Sequence, residues 1–253
     1  MATFDSGGLA LAFDEIGAGN PGRPLILIHG FSSNRNENWR RIGWYAALER
    51  RRMRFVALDC RGHGESAKPH DAAAYTRELM IGDVFALMDH LNIERANLMG
   101  YSMGAYLALA AALAKPERIG DLIVGGVGGA MFAPARPNAP LVEAMEAKNA
   151  DEISDPLARS FRQFADDQGE DRLALAACAK ARTEQIAGSV SEIKAPTLVV
   201  AGARDELAGD PNELAARISR ARAVTLPGCD HFSAIPHALF KAAVFDFLDG
   251  TLD

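Results

Sequence analysis

Short, solid runs of aliphatic residues alternate with helically patterned segments along the first half of the chain. Leu25–Ile28, Phe55–Leu58, the pair Leu98-Met99 ahead of Gly100, and Leu122-Ile123-Val124 are uninterrupted apolar stretches. A strand buried on both faces reads as a continuous run rather than an alternation, so these stretches predict parallel strands covered by helices. Between them, residues 76–92 place Met80, Val84, Leu87, Met88 and Leu91 on one stripe, with Arg77, Asp83 and Asp89 off it. That is the pattern of an amphipathic helix with its charged face in water. Right-handed crossovers between such strands give a doubly wound α/β sheet.

The pattern changes after Val127. Pro134, Pro137 and Pro140 come first, and the sequence then runs helical and charge-rich, without a clear strand, to about residue 190. Leu198-Val199-Val200 resumes the strand signal, and Ala223-Val224-Thr225-Leu226 is the last such run. In Asp210-Pro211-Asn212-Glu213 the Asp reads as a helix cap, the Pro as the first helical residue, and the Glu as reaching back in a capping box. Residues 235–249 predict a closing helix striped by Phe240, Val244, Phe247 and Leu248 and stopped by Gly250. The expected organisation is one α/β core, residues 1–130 and 190–253, interrupted by a helical insertion over residues 131–189.

Composition narrows the class. The 253 residues are 49 % hydrophobic and 24 % charged, which excludes a disordered or collagen-like chain. Acidic residues outnumber basic ones, 33 to 27, and this argues against a nucleic-acid partner. Arg50-Arg51-Arg52 with Arg54 reads as the solvated last turn of a helix. Cys60, Cys178 and Cys229 form no CxxC pair and fit a reducing compartment. No basic stretch followed by an apolar segment opens the chain, and no apolar run approaches the roughly 18 residues of a membrane span. The expectation is a soluble, cytoplasmic protein, monomer or homodimer, acting on a small molecule without nucleic acid or membrane. A phosphate loop, an HExxH helix and a spaced Cys/His cluster are all missing, and Gly126-Val127-Gly128 has Met131 where a dinucleotide fingerprint needs a third small residue. No cofactor and no metal are expected.

Chemistry concentrates at the ends of the predicted strands. Gly100-Tyr101-Ser102-Met103-Gly104 is a G-x-S-x-G match between a strand run and the Ala-rich helical residues 105–114. Its glycines give a strained serine room, and the following helix start offers free N–H groups. The alternative is a tight turn with an incidental serine. A serine needs a base, and the candidate is His231, in the loop after the last strand. The candidate acid is Asp205, after the preceding strand, with Glu206 and Asp230 as neighbouring carboxylates. In His29-Gly30-Phe31 a flexible glycine lets the Phe31 N–H face the site, where with the Met103 N–H it would form a two-donor oxyanion hole. His29 and residues 59–66 read as structural, the latter as a rigid turn with internal ion pairs. Phe132, Leu141, Met145, Leu157, Phe161 and Phe164 are candidates for an acyl pocket or for the insertion's own core, and Arg159 and Arg162 for solvated charges or substrate-carboxylate contacts.

Taken together, His29-Gly30-Phe31, residues 59–66, Gly100–Gly104, Gly202–Asp205 and Gly228–His231 occur in an order that resembles the α/β-hydrolase-fold serine hydrolases over nearly the whole chain. Ala105 departs from the second glycine often found there. The resemblance implies a mostly parallel eight-stranded sheet with a small helical cap over residues 131–189. It also implies Ser102 as nucleophile, Asp205 as acid, His231 as base, and Phe31 and Met103 as oxyanion donors. Branches of the family that cleave halides and epoxides use an aspartate nucleophile, and Ser102 argues against those. The implied activity is hydrolysis of a small carboxylic ester or related acyl compound. Carbon–carbon bond hydrolysis, enol-lactone opening, perhydrolysis, a lyase reaction and a non-catalytic ligand receptor are the alternatives.

Overall fold

All six apolar runs lie within strands of the computed structural model, which describes residues 2–134, 137–181 and 187–251. The strands are β1 (Ala2–Ser6), β2 (Leu9–Ile16), β3 (Leu25–Ile28), β4 (Phe55–Leu58), β5 (Ala96–Tyr101), β6 (Ile119–Gly125), β7 (Thr197–Gly202) and β8 (Ala221–Leu226). They form one eight-stranded sheet in the order β1-β2-β4-β3-β5-β6-β7-β8. From β4 to β8 neighbouring strands are parallel, with Ile28 opposite Gly100, Gly100 opposite Val124, and Gly125 opposite Val200. The N-terminal hairpin β1–β2 is antiparallel and is turned by Gly7 and Gly8 at φ 61° and 85°. Positive φ at both central residues is what a two-residue hairpin turn requires.

Period-two alternation sends successive side chains to opposite sheet faces. Ile26, Ile28, Val56, Leu58 and Leu98 join one buried cluster with Val84, Leu87 and Met88 of helix α2 (Arg77–His90) and Leu109 of α3 (Met103–Ala114). Leu25, Leu27, Phe55, Ala57 and Met99 join the other with Trp44 and Leu48 of α1 (Trp44–Arg50) and Phe240 and Val244 of α8 (Ala238–Leu248). No helix among the described residues is long and apolar enough to cross a membrane.

Between β6 and β7 lie α4 (Ala139–Glu146), α5 (Pro156–Gln168) and α6 (Arg172–Ala181). Asp155 caps α5 through the Ala158 N–H at 2.7 Å, and Gly169 ends it at φ 67°. Arg162 is buried rather than solvated. Its Nη1 donates to the Ala144 and Ala147 carbonyls at 2.7 and 2.8 Å and its Nε to Asp166 at 2.8 Å, so it satisfies the C-terminal end of α4. Arg159 stays exposed and donates to the Ile153 carbonyl at 3.0 Å. In α7 (Pro211–Ala215), Asp210 caps the Asn212 N–H at 2.9 Å, while the Glu213 carboxyl lies against Gly129 instead of reaching back.

Asp83, expected on the wet face of α2, is 1 % exposed. Arg61 explains this: its Nε and Nη2 clasp the carboxylate at 2.7 and 2.6 Å, and Ser6 Oγ adds a third donor at 2.6 Å. One buried ion pair thus ties the hairpin, α2 and the loop after β4 together. Breaking such a pair from one side leaves an uncompensated charge. Replacing Asp83 by Ala is therefore expected to cost about 3–5 kcal/mol of stability, read as a lowered urea midpoint.

Candidate active site

Between the last residue of β5 and the first of α3 the chain must reverse within one residue. Ser102 does this at φ 52°, ψ −115°, a region L-residues avoid. Its N–H donates to the Gly125 carbonyl at 2.8 Å, extending the β5–β6 ladder, while its carbonyl accepts from Ala105 N at 2.9 Å to begin the helix. The turn closes only because two side chains are missing. A Cβ on Gly100 would overlap the Gly104 carbonyl, and one on Gly104 would overlap the Ile28 carbonyl of β3. Ala105, where a second glycine is common, is fully buried without conflict.

Asp205 and His231 arrive from the carboxyl ends of β7 and β8. His231 Nδ1 lies 2.8 Å from Asp205 Oδ2 and 3.0 Å from Oδ1. The carboxylate is held by its own loop as well, since Oδ1 accepts from Leu207 N at 3.1 Å and Ala208 N at 3.0 Å. An acceptor-only partner at Nδ1 fixes the tautomer with the proton there, leaving Nε2 as the basic nitrogen. The imidazole is further placed by Tyr101, whose hydroxyl donates to the His231 carbonyl at 2.7 Å and whose ring packs 5.4 Å from it. Burial pushes that phenol far above its ordinary range, so it stays a donor. Gly126, at φ 67°, lies so close to the Tyr101 and His231 rings that a Cβ would stand 3.0 Å from His231 Cε1.

Ser102 and His231 line one cavity of about 750 Å³, together with Phe31 and Met103. No hydrogen bond joins Ser102 Oγ to His231 among the described residues. The backbone N–H groups of Phe31 and Met103 have no hydrogen-bond partner among the described residues. Of the candidate pocket residues, Leu141, Leu157 and Phe161 line this cavity. Phe132 lies under the Arg217 guanidinium, Phe164 against Phe232, and Met145 is buried in the core cluster. Glu206 lines the cavity beside Leu207, whereas Asp230 caps its own turn through Ser233 and Phe232.

Beneath Phe31 sits a buried polar layer. His29 accepts from Cys60 N at 3.0 Å through Nε2 and faces the Gly30 carbonyl through Nδ1 at 2.8 Å. Its ring packs 5.1 Å from His63, which packs edge-on against Phe31 at 5.8 Å. Burial lowers His29 to about 4 and His63 to about 3. The turn 59–66 is built on ion pairs: Arg35 bridges Asp59, Glu65 and Asp14, and Asp59 Oδ1 accepts from Arg35 N at 2.7 Å. His70 bonds Asp171 at 2.9 Å, His237 caps α8, and His90 ends α2 beside Phe4 and Phe13.

Residues 25–242 match the model of the Alpha/beta hydrolase family. A 2-hydroxymuconate semialdehyde hydrolase of Pseudomonas sp. (strain CF600) is 30 % identical, the alignment covering 90 % of this chain and 87 % of that protein. Among solved structures, a hydrolase from Pseudomonas aeruginosa PA01 superposes with a TM-score of 0.79 at 29 % identity, over 98 % of this chain and 97 % of the other. The enol-lactonase from Burkholderia xenovorans LB400 gives a TM-score of 0.79 at 26 % identity, over 98 % and 100 % of the two chains. Other curated relatives are matched in part, this chain spanning 30 to 58 % of their length.

Two outcomes follow from this geometry. Replacing Gly104 by Ala forces β3 and α3 apart and is expected to cost about 3 kcal/mol or more, visible in urea unfolding. The buried histidines impose a pH dependence. Their folded values lie below the ordinary 6.5, so the unfolded chain takes up protons that the folded chain refuses. Their contribution is complete above pH 6.5 and is lost as pH falls toward about 4. His63→Asn is expected to show a smaller loss of urea midpoint over that window than wild type. Comparing the two at each pH cancels the opposite contribution of Asp59 and Glu170, whose carboxyls burial pushes up.

Proposed function

The chain belongs to the Alpha/beta hydrolase family, and from that premise we propose that it is a cofactor-independent serine hydrolase of small carboxylic esters or related acyl compounds. The observation that carries this reading is the cavity. Ser102 and the Asp205-held His231 line it together with Phe31 and Met103, whose backbone N–H groups have no hydrogen-bond partner among the described residues.

In this reading His231 Nε2 takes the Ser102 hydroxyl proton as Oγ attacks the substrate carbonyl. Asp205 stabilises the imidazolium that forms. The N–H groups of Phe31 and Met103 receive the charge developing on the carbonyl oxygen, each such donor being worth about 3 kcal/mol. His231 then returns the proton to the leaving alcohol, and an acyl group remains on Ser102. Water, activated by the same imidazole, releases the acid. Residues 131–189 serve as a cap, and Leu141, Leu157 and Phe161 give the acyl side of the cavity its apolar wall. A second reading keeps the site and changes the bond. The relative covering nine-tenths of this chain is a semialdehyde hydrolase, and one solved neighbour is an enol-lactonase, which favours carbon–carbon or enol-lactone substrates as the runner-up.

A fluorophosphonate probe is expected to label the wild-type chain and leave Ser102→Ala unlabelled, with melting temperature little changed and kcat on p-nitrophenyl esters reduced at least about 1,000-fold. Equal labelling of both chains would remove Ser102 from its role. A panel of short esters, a vinylogous 1,5-diketone and an enol-lactone, compared by kcat/KM, decides between the two readings.

A further inference from the structure

The segment carrying Phe31 is strained and has to be held. Ser32, its neighbour, sits at φ 57°, a conformation that persists in a non-glycine residue only where the surroundings over-determine it. Its own hydroxyl is buried with no hydrogen-bond partner among the described residues, so the restraint comes from elsewhere. Gly30 N donates to Asn38 Oδ1 at 3.1 Å, and Asn38 N donates to the Asn34 carbonyl at 2.9 Å. Asn34 Oδ1 accepts from Asn36 N and Glu37 N, both at 3.0 Å, so this side chain is fixed by the helical turn that follows. Its remaining group, Nδ2, donates to Glu170 Oε1 at 2.8 Å.

Glu170 belongs to the link between α5 and α6, not to the core. It is 8 % exposed, and its Oε2 accepts from Gly64 N at 2.9 Å. Gly64 lies in the turn whose Asp59 holds Arg35 N. One carboxylate from the insertion therefore joins the two core loops, and one of its contacts is three residues from Phe31. Phe161 of α5 reinforces the same docking. Its ring packs edge-on against Phe31 at 6.0 Å and against Phe232 at 5.7 Å, and Phe232 packs against His231 at 5.7 Å.

We propose that Glu170 is a positioning residue for the oxyanion site: by holding Asn34 and Gly64 it sets the Phe31 N–H, so this donor is in place only when the α5–α6 link is seated on the core. The inference rests on the reading of Ser102 and Phe31 given above. Nothing in it requires Glu170 to touch substrate. Its loss changes how fast the bond at Ser102 forms, not how well a ligand binds beforehand.

The test uses a fluorophosphonate with the full chain, resolving reversible binding from the rate constant of covalent capture, with melting temperatures recorded in parallel. Glu170→Ala and Glu170→Asp, the latter too short to reach both loops, are expected to lower the capture rate about tenfold or more with binding within about twofold. Glu170→Gln keeps the oxygen that both Asn34 Nδ2, at 2.8 Å, and Gly64 N, at 3.2 Å, already reach, and is expected to recover most of the rate. Should the alanine variant not fold, the Asp and Gln variants carry the comparison. A capture rate at the wild-type level in the Ala or Asp variant overturns the inference, as does a loss confined to reversible binding. Wild-type chain that the probe does not label overturns the Ser102 reading and this inference with it. Labelling that persists in Ser102→Ala does the same.

Discussion

The approach of α3 to β3 is the constraint on which the rest of the site depends. Gly104 lets the helix rest directly on the Ile28 carbonyl, and Gly100 lets the end of β5 pass under the same turn. Only with both contacts made does Ser102 have to take a left-handed conformation. A strain of roughly 1–3 kcal/mol at that residue is tolerable because the flanking strand and helix are deeply buried. The carboxyl ends of β3, β5, β7 and β8, being parallel, then bring Phe31, Ser102, Asp205 and His231 to a single edge of the sheet.

Some of this architecture is written locally in the chain. Strands buried on both faces have to be apolar at every position, so β3, β4 and the centres of β5, β6 and β7 announce themselves as runs, whereas β8 is an edge strand with only Leu226 buried. The Ser102 turn is readable because its steric needs fall on residues two positions away on either side. The hairpin β1–β2 is different. Its strands are half exposed and mix Thr, Asp and Glu with Phe and Leu, so the Gly7-Gly8 pair between them is the signal that marks it.

Other features have no local signature, because they arise from pairing over long separations. Asp83 looks like a surface residue until Arg61 meets it, and Arg162 looks like a solvated charge until the end of α4 is laid against it. Tyr101 occupies a variable position of the serine motif, yet its hydroxyl supports His231 from 130 residues away. Glu170 reaches Gly64 across 106 residues. In each case a polar side chain is buried because a partner from a distant element satisfies it, and periodicity within one segment carries no trace of that.

The bond from Tyr101 to the His231 carbonyl has a bearing on the order in which the molecule is made. The motif around Ser102 lies near the middle of the chain and draws its steric support from β3 and β5, which precede it. Asp205 and His231 follow the last two strands to be synthesised. A nascent chain that has completed β6 contains Ser102 and its flanking strands but neither Asp205 nor His231. Contacts of such high sequence separation are slow to form. Ser102 and the strands around it are thus synthesised before Asp205 and His231, so the lining of the cavity is complete only once β7 and β8 have joined the sheet.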